Sequence, residues 1–134
     1  MNDDKNLYHG KRVDNGEWVE GDLIHRQIWG RALAIIRISD DGFEHYEEYE
    51  VIPESVGQFT GLYDKNEKKI FEGNIVRVTE GIYGYKSTYH SYVEEVKFYS
   101  KDVAVFLPFD NSDMVEVEVI GNIYDNPELF HNGD

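Results

Sequence analysis

The chain has 134 residues, no cysteine and a formal net charge of −14 at pH 7. This length predicts one domain or two small halves, with enough core to fold without disulfide bonds. The acidic charge argues against direct binding to nucleic acid or to an anionic membrane surface, because both attract basic proteins.

Acidic side chains are spread over the whole chain. Residues 1–55 carry 6 basic and 13 acidic side chains, and residues 56–134 carry 7 and 14, so each half has a net charge of −7. Such a surface keeps a protein soluble. The polar start over residues 1–6 does not resemble a signal peptide, and no apolar run approaches the ~20 residues of a membrane span, so we expect a cytoplasmic protein.

The first element in chain order is a predicted hairpin. Extended runs over residues 7–13 and 17–20 flank an Asp-Asn-Gly turn at residues 14–16, and Asn-Gly between such runs is a strong hairpin signal. Trp18 is predicted to anchor the core or an interface. Gly21 then interrupts the second run, and a glycine inside a strand indicates a bulge or bend, so we predict a structural corner there.

Two further strands are predicted before residue 55. Residues 28–38 form the most apolar run, and their β-branched side chains favour a strand over a short helix at residues 31–34. Residues 43–52 mix aromatic and acidic side chains, which suits a sheet edge. Pro53 ends this strand, and residues 53–57 form the predicted junction between an N-terminal half, 1–55, and a C-terminal half, 56–134.

The central stretch, residues 58–78, reads as strand, turn, strand, glycine break and strand. Residues 64–67 (Asp-Lys-Asn-Glu) have the composition of a turn. Gly73 lies between two extended runs and is predicted to form a second corner. The Glu-Gly-Asn at residues 72–74 matches the Glu-Gly-Asp at residues 20–22, so the same glycine corner is predicted to occur twice.

Residues 80–91 contain three tyrosines, Tyr83, Tyr85 and Tyr89, without a clear period. This segment is predicted to be either an ordered hairpin tip or a mobile loop. Tyrosine-rich loops favour recognition, because tyrosine supplies contact area at low entropic cost. We therefore interpret the three tyrosines as a candidate recognition surface, with a plain β-connection as the alternative.

The C-terminal part is predicted to contain more strands and one helical turn. Residues 92–99 and 114–120 alternate between apolar and polar side chains, and residues 103–107 read as a buried strand. Gly121 is predicted to break the last strand as a third corner. Residues 126–129 (Asn-Pro-Glu-Leu) are typical of a helix start, with Asn126 as the N-cap.

No pattern in the sequence indicates a catalytic, cofactor-binding or metal-binding residue. The five histidines are not paired at metal-ligand spacing. Phosphate-binding loops, nucleophile elbows and dinucleotide fingerprints do not occur in the sequence. We therefore expect a protein that is not an enzyme. An enzyme of unrecognised type would need a cleft that brings carboxylates together with His25 or His90.

Two stretches resemble the signatures of a known family. The first comprises residues 58–62 (Gln-Phe-Thr-Gly-Leu), 64–66 (Asp-Lys-Asn) and 70–76 (Ile-Phe-Glu-Gly-Asn-Ile-Val), and the second residues 119–129. Together they resemble the central and closing signatures of the YopX family, small proteins encoded by bacteriophages and prophages. Glu67 stands where that family usually has glycine, Asn74 where it usually has aspartate, and Tyr63 where lysine is common. The resemblance implies a phage or prophage origin and no catalytic residue.

These patterns predict a mainly β protein. We expect two small, strongly curved antiparallel sheets or SH3-like partial barrels, with a short C-terminal helical turn. The expected function is that of a non-enzymatic phage accessory protein acting through protein–protein contacts, as a homo-oligomer or with a host or phage protein. The alternative is an acidic decoy that imitates the charge of DNA and binds a basic host protein.

Overall fold

The computed structural model describes residues 7–39, 45–82, 88–100, 103–104 and 115–131, and most of them lie in β-strands. A 3-10 turn at Pro53–Ser55 separates the fourth strand from the fifth. The elements are β1 (Tyr8–Lys11), β2 (Trp18–Ile28), β3 (Arg31–Ser39), β4 (Tyr46–Val51), β5 (Gly57–Tyr63), β6 (Lys69–Phe71), β7 (Asn74–Ile82), β8 (Thr88–Glu95), β9 (Phe98–Ser100), β10 (Val103–Ala104), β11 (Val115–Asn122) and α1 (Pro127–His131).

The chain divides into two compact units, residues 1–59 and residues 60–134. In the first unit the strands lie in the order β4-β3-β2-β1-β5, with antiparallel neighbours. β5 continues into the second unit, where it lies beside β6. The second unit also contains an antiparallel sheet in the order β11-β7-β8, and β9 pairs with β10. None of the helices among the described residues is long and apolar enough to cross a membrane.

The first predicted hairpin is confirmed. β1 and β2 pair antiparallel, with Lys11 opposite Trp18. The turn closes through a hydrogen bond that the Arg12 amide donates to the Glu17 carbonyl at 2.8 Å. Gly16 has a φ of +79°, a conformation that glycine adopts without steric cost. The Asn-Gly signal therefore identified the turn, and the glycine has the positive φ that the turn requires.

The acidic strand lies at a sheet edge, as its composition predicts. β4 is the last strand in the order of the first unit. Its end also contacts the chain that follows β1, because the Ile52 amide donates to the Lys11 carbonyl at 2.9 Å and the Val13 amide to the Glu50 carbonyl at 3.0 Å. The sheets are not closed into a barrel in the described part of the chain. The mainly antiparallel fold is thus confirmed, and the SH3-like curvature stays a prediction.

Each unit has its own apolar core. In the first unit Ala34, Ile36 and Val51 are buried, and Leu23 and Val56 pack against them. These side chains project from one side of the β2-β3-β4 sheet, because strand neighbours alternate between faces. The core of the second unit consists of Ile70, Val76, Val78, Val96 and Val117.

The turn between β5 and β6 is built around the carboxylate of Asp64. This buried side chain accepts hydrogen bonds from the backbone amides of Asn66 at 2.8 Å and Lys68 at 2.9 Å. Its second oxygen accepts from the Val119 amide at 2.9 Å, across 55 residues of sequence. The Lys65 amide adds a hydrogen bond to the Val117 carbonyl at 2.8 Å. The turn is thereby fixed to β11.

The structure explains two of the positions in the central stretch that depart from the pattern of the family it resembles. Glu67 has a φ of +65°, so the turn keeps a left-handed residue at this position without glycine. Asn74 is buried, and its Oδ1 accepts a hydrogen bond from the Phe71 amide at 2.7 Å. A carboxylate oxygen would accept the same bond, which explains how asparagine and aspartate can both serve there.

The alternation predicted at residues 114–120 is confirmed in the part that the structure describes. The run predicted at residues 92–99 is divided instead, because β8 ends at Glu95 and β9 begins at Phe98. Val117 is buried and Val119 packs against the same cluster, whereas Glu116 is exposed. The predicted helical turn exists as α1, and the Leu129 amide donates to the Asn126 carbonyl at 3.0 Å. The Asn126 side chain accepts a hydrogen bond from the Asn122 amide at 3.3 Å, so it connects the helix start back to the end of β11.

We expect the Asp64→Ala substitution to lower the free energy of unfolding by about 3 kcal/mol. The substitution leaves three backbone amides without their charged acceptor, and each loss of this kind costs ~1–3 kcal/mol when the group stays buried. Urea unfolding followed by circular dichroism measures the change. The control is Lys65→Ala in the same turn, where the exposed ion pairs at 3.8 and 3.9 Å contribute under ~1 kcal/mol. Equal effects of the two substitutions would contradict the role of Asp64.

We expect protonation of His9 to destabilise the fold at acid pH. Burial lowers the pKa of His9 to about 4, and its ring lies 4.7 Å from the ring of Trp18. Because the folded pKa lies below the unfolded value of 6.5, this contribution is complete above pH 6.5 and is lost as the pH falls towards 4. The shift corresponds to about 3 kcal/mol.

The measurement is the free energy of unfolding between pH 7 and pH 4 for the native chain and for His9→Gln. The glutamine variant cannot take up the proton, so its stability should fall by about 3 kcal/mol less over this range. Parallel pH profiles for the two proteins would show that His9 does not titrate as predicted.

Candidate functional site

The β2–β3 hairpin ends in an exposed tryptophan. β2 ends at Ile28 and β3 begins at Arg31, and these two residues pair across the turn. Trp29 is 96 % exposed, and Ile28 beside it is 40 % exposed. The prediction that residues 28–38 form one strand is therefore wrong at its start. The chain reverses at Trp29 and Gly30, so Ile28 belongs to β2 and the next strand begins at Arg31.

The backbone of this turn is strained at the tryptophan. Trp29 has a φ of +54° and Gly30 a φ of +77°, and two consecutive positive values are typical of a type I′ hairpin turn. Asparagine and glycine usually occupy these positions, and for a bulky side chain a positive φ is rare and costs roughly 1–2 kcal/mol. Trp29 is thus exposed at a conformational cost that no described contact of its own side chain offsets.

The outer face of β2-β3-β4 carries balanced charge. Alternation along the paired strands places one set of side chains on the side opposite the core. Its charged members comprise three arginines and three acidic residues, so the outer face has no formal net charge although the chain has a net charge of −14. The outer face consists of Asp22, Ile24, Arg26, Ile28, Arg31, Leu33, Ile35, Arg37, Ser39, Tyr46, Glu48 and Glu50.

Glu48 is the centre of the ion pairs on this outer face. Its carboxylate accepts hydrogen bonds from Arg26 at 2.9 and 3.2 Å and from Arg37 at 3.0 and 2.7 Å. These bonds, those of Arg26 foremost, lower the pKa of Glu48 to about 2. The Glu48 carboxylate therefore stays ionised at physiological pH. Arg31 lies 3.5 Å from Glu50 in a further ion pair.

An apolar pocket of about 330 Å³ lies next to this hairpin. Ala32 and Ala34 of β3 and His25 of β2 form one wall, and Pro53 and Val56 form another. His25 is the one ionisable residue among the lining residues that the structure describes. The volume suits an aromatic or branched aliphatic side chain rather than a large cofactor.

The three predicted glycine corners lie at different kinds of position. Gly73 forms the turn between β6 and β7 with a φ of +94°. Gly21 lies inside β2, where the partner of that strand changes from β1 to β3, and a Cβ there would lie 2.2 Å from the Arg37 carbonyl oxygen. Gly121 lies inside β11 at a register shift, and a Cβ there would lie 2.9 Å from a methyl group of Leu129.

The predicted tyrosine surface cannot be assembled from the described residues. Tyr83 and Tyr85 lie outside them, and of Tyr89 only the backbone is described, opposite Gly81 in the β7–β8 hairpin. Its role in recognition stays a prediction. Within the ranges that the structure covers, no group of three or more histidine or acidic side chains is arranged to hold a metal ion.

Comparison with known proteins identifies the family. A family model described as YopX protein matches residues 7–131. The chain belongs to the YopX family. No curated protein and no solved structure matches the chain. The match confirms the resemblance seen in the two signatures, and it covers both structural units.

The family signature and the candidate site occupy different parts of the chain. The central signature begins at Gln58, after the hairpin, and its polar residues Asp64 and Asn74 accept backbone hydrogen bonds. Trp29 and the pocket belong to the first unit. The exposed turn position of Trp29 was not predicted from the sequence. The glycine that follows it is a turn signal that could have divided the apolar run.

We expect Gly21→Ala to lower the free energy of unfolding by about 3 kcal/mol, because the added methyl group meets backbone rather than a movable side chain. Thermal and urea unfolding measure the loss. The exposed neighbour Asp22 provides the control, and Asp22→Ala should change stability by no more than about 0.5 kcal/mol. Similar unfolding midpoints for both variants would show that β3 can move away from Gly21.

Proposed function

We propose that this YopX-family chain is a phage or prophage accessory protein that acts by binding another protein through the β2–β3 hairpin. The observation that carries the proposal is Trp29, which is 96 % exposed on a turn with two positive φ values. The expected binding partner offers an apolar recess for the indole and an acidic group for Arg31, which is exposed next to it. The family membership and the phage association of the resemblance support the accessory role.

The energetics of an exposed tryptophan support a binding role. A tryptophan buries ~200 Å² when it enters a pocket, which corresponds to about 5 kcal/mol of apolar transfer free energy. The isolated chain gains none of this, and it also bears the strain of the positive φ. Tryptophan and arginine are the residues most enriched at the energetic centres of protein interfaces. Their adjacency at residues 29 and 31 therefore suits an interface centre.

Binding explains the site better than catalysis does. The pocket beside the hairpin is lined by aliphatic side chains and one histidine, His25. The enzyme alternative expects carboxylates to converge with His25, and the lining residues that the structure describes include no carboxylate. An apolar pocket with one polar group at its wall is instead suited to holding a side chain or a small apolar ligand.

The acidic-decoy hypothesis gains little from the acidic strand. That hypothesis assigns importance to Glu44, Glu47, Glu48 and Glu50, of which Glu44 lies outside the described residues. Glu48 is paired with two arginines, and Glu50 lies near a third. A basic partner would have to displace these arginines, so we favour the hairpin as the binding element.

We expect Trp29→Asn to abolish binding of the natural partner without loss of stability. Asparagine tolerates the positive φ of this turn, so the variant removes the indole and keeps the backbone. The free energy of unfolding should stay the same or rise by up to about 1 kcal/mol. Affinity capture from host cells with the tagged full chain, quantified by mass spectrometry, measures partner recovery.

The matched control for this capture experiment is Tyr63→Ala. Tyr63 is 48 % exposed on β5, so the control also removes a large exposed aromatic ring. The proposal predicts at least a tenfold loss of partner recovery for Trp29→Asn and none for the control. Equal recovery with all three proteins would refute the hairpin as the binding element.

A further inference from the structure

We propose that the partner of the hairpin is a second copy of this chain, with Trp29 of each copy seated in the apolar pocket of the other. This inference rests on the proposed function and specifies its partner. Both halves of the contact occur on one chain: an indole that is 96 % exposed, and a pocket of about 330 Å³ lined by aliphatic side chains. A two-fold interface requires this kind of self-complementarity, because the same surface serves on both copies.

Trp29 lies at the tip of the β2–β3 hairpin, and the positions of this tip and of the pocket fit a two-fold arrangement. Three of the lining residues, Ala32, Leu33 and Ala34, follow Trp29 by three to five positions on the same hairpin. At ~3.3 Å per residue, the pocket begins about 10 Å from the tip. The indole points into solvent and leaves its own pocket empty of aromatic rings. A two-fold axis between tip and pocket places each indole over the other pocket.

Charge on the two sides of this contact is complementary. Arg31, next to the indole, is 72 % exposed at its side chain and lies at 3.5 Å from Glu50. Glu54 is exposed in the 3-10 turn between the lining residues Pro53 and Val56. Seating Trp29 in the pocket of the other copy brings the Arg31 of one chain towards the Glu54 of its partner. The pairing occurs twice in a symmetric dimer.

The size of the contact predicts a reversible dimer. Two indoles in two pockets bury less than the ~1,600 Å² of a standard stable interface, even with the flanking ion pairs. We therefore expect a dissociation constant in the micromolar range, and monomers at high dilution. Concentration-dependent mass is the first signature of the proposal.

The decisive experiment follows the burial of Trp29 during association. The chain has two tryptophans, so Trp18→Phe leaves Trp29 as the sole indole. Acrylamide quenching of its fluorescence is measured from about 1 μM to about 1 mM, and light scattering of the unmodified chain follows the mass over the same range. The proposal expects the mass to double and quenching of Trp29 to decrease together. Constant monomer mass with a fully quenchable Trp29 overturns it.

Pocket variants identify the surface that receives the indole. Ala32 lines the pocket and is itself exposed, so Ala32→Phe fills the pocket without disturbing the core. This variant should weaken dimerisation roughly 30-fold or more, as should Trp29→Asn. Lys68→Phe, which adds the same ring at an exposed turn of the second unit, should leave dimerisation unchanged. A dimer that persists in Ala32→Phe uses another surface and overturns the proposal.

A charge exchange tests the symmetric pairing. Arg31→Glu and Glu54→Arg should each weaken the dimer, and the double variant should recover most of the loss, because the pair is restored with reversed signs. An additive loss in the double variant overturns this pairing. If the unmodified chain stays monomeric while Trp29→Asn still loses a captured host protein, the second-copy inference fails and the proposed function stands. If neither effect occurs, both fail.

Discussion

The carboxylate of Asp64 is the interaction on which the second unit depends. It satisfies the amides of its own turn and the amide of Val119, which lies 55 residues further along the chain. Burial alone would raise the pKa of Asp64, but the hydrogen bonds from the Val119, Lys68 and Asn66 amides lower it. The ionised group therefore connects a local turn to a distant strand.

The β2–β3 hairpin differs from the signature residues in burial and in backbone strain. Signature residues such as Asp64 and Asn74 are buried and hydrogen-bonded to backbone, so they determine the fold. Trp29 is exposed and strained, and its surroundings carry balanced charge on a strongly acidic protein. A chain stabilised only for itself would carry asparagine at this turn. The contrast between the two regions is the main physical reason for assigning binding to the hairpin.

The pattern of residues along the chain is enough to predict the class of fold and most turns. Alternating and β-branched runs identified the strands, the Asn-Gly at residues 15–16 identified the first hairpin, and Asp64 marked the central turn. The Asn-Pro at residues 126–127 identified the start of α1. The two family signatures identified the family. These features depend on neighbours in sequence, because turn chemistry and strand alternation are local properties.

The candidate site, by contrast, can be recognised only in the folded chain. Trp29 lay in an apolar run that local reasoning assigned to one strand, and its exposure depends on which strands pair around it. The pocket joins β2 and β3 with Pro53 and Val56, which are distant in sequence. Gly21 resembles Gly73 in its motif but is needed for the approach of the β3 backbone rather than for a positive φ. Exposure, pocket shape and close approach are properties of strand pairing and packing, which a single sequence does not encode locally.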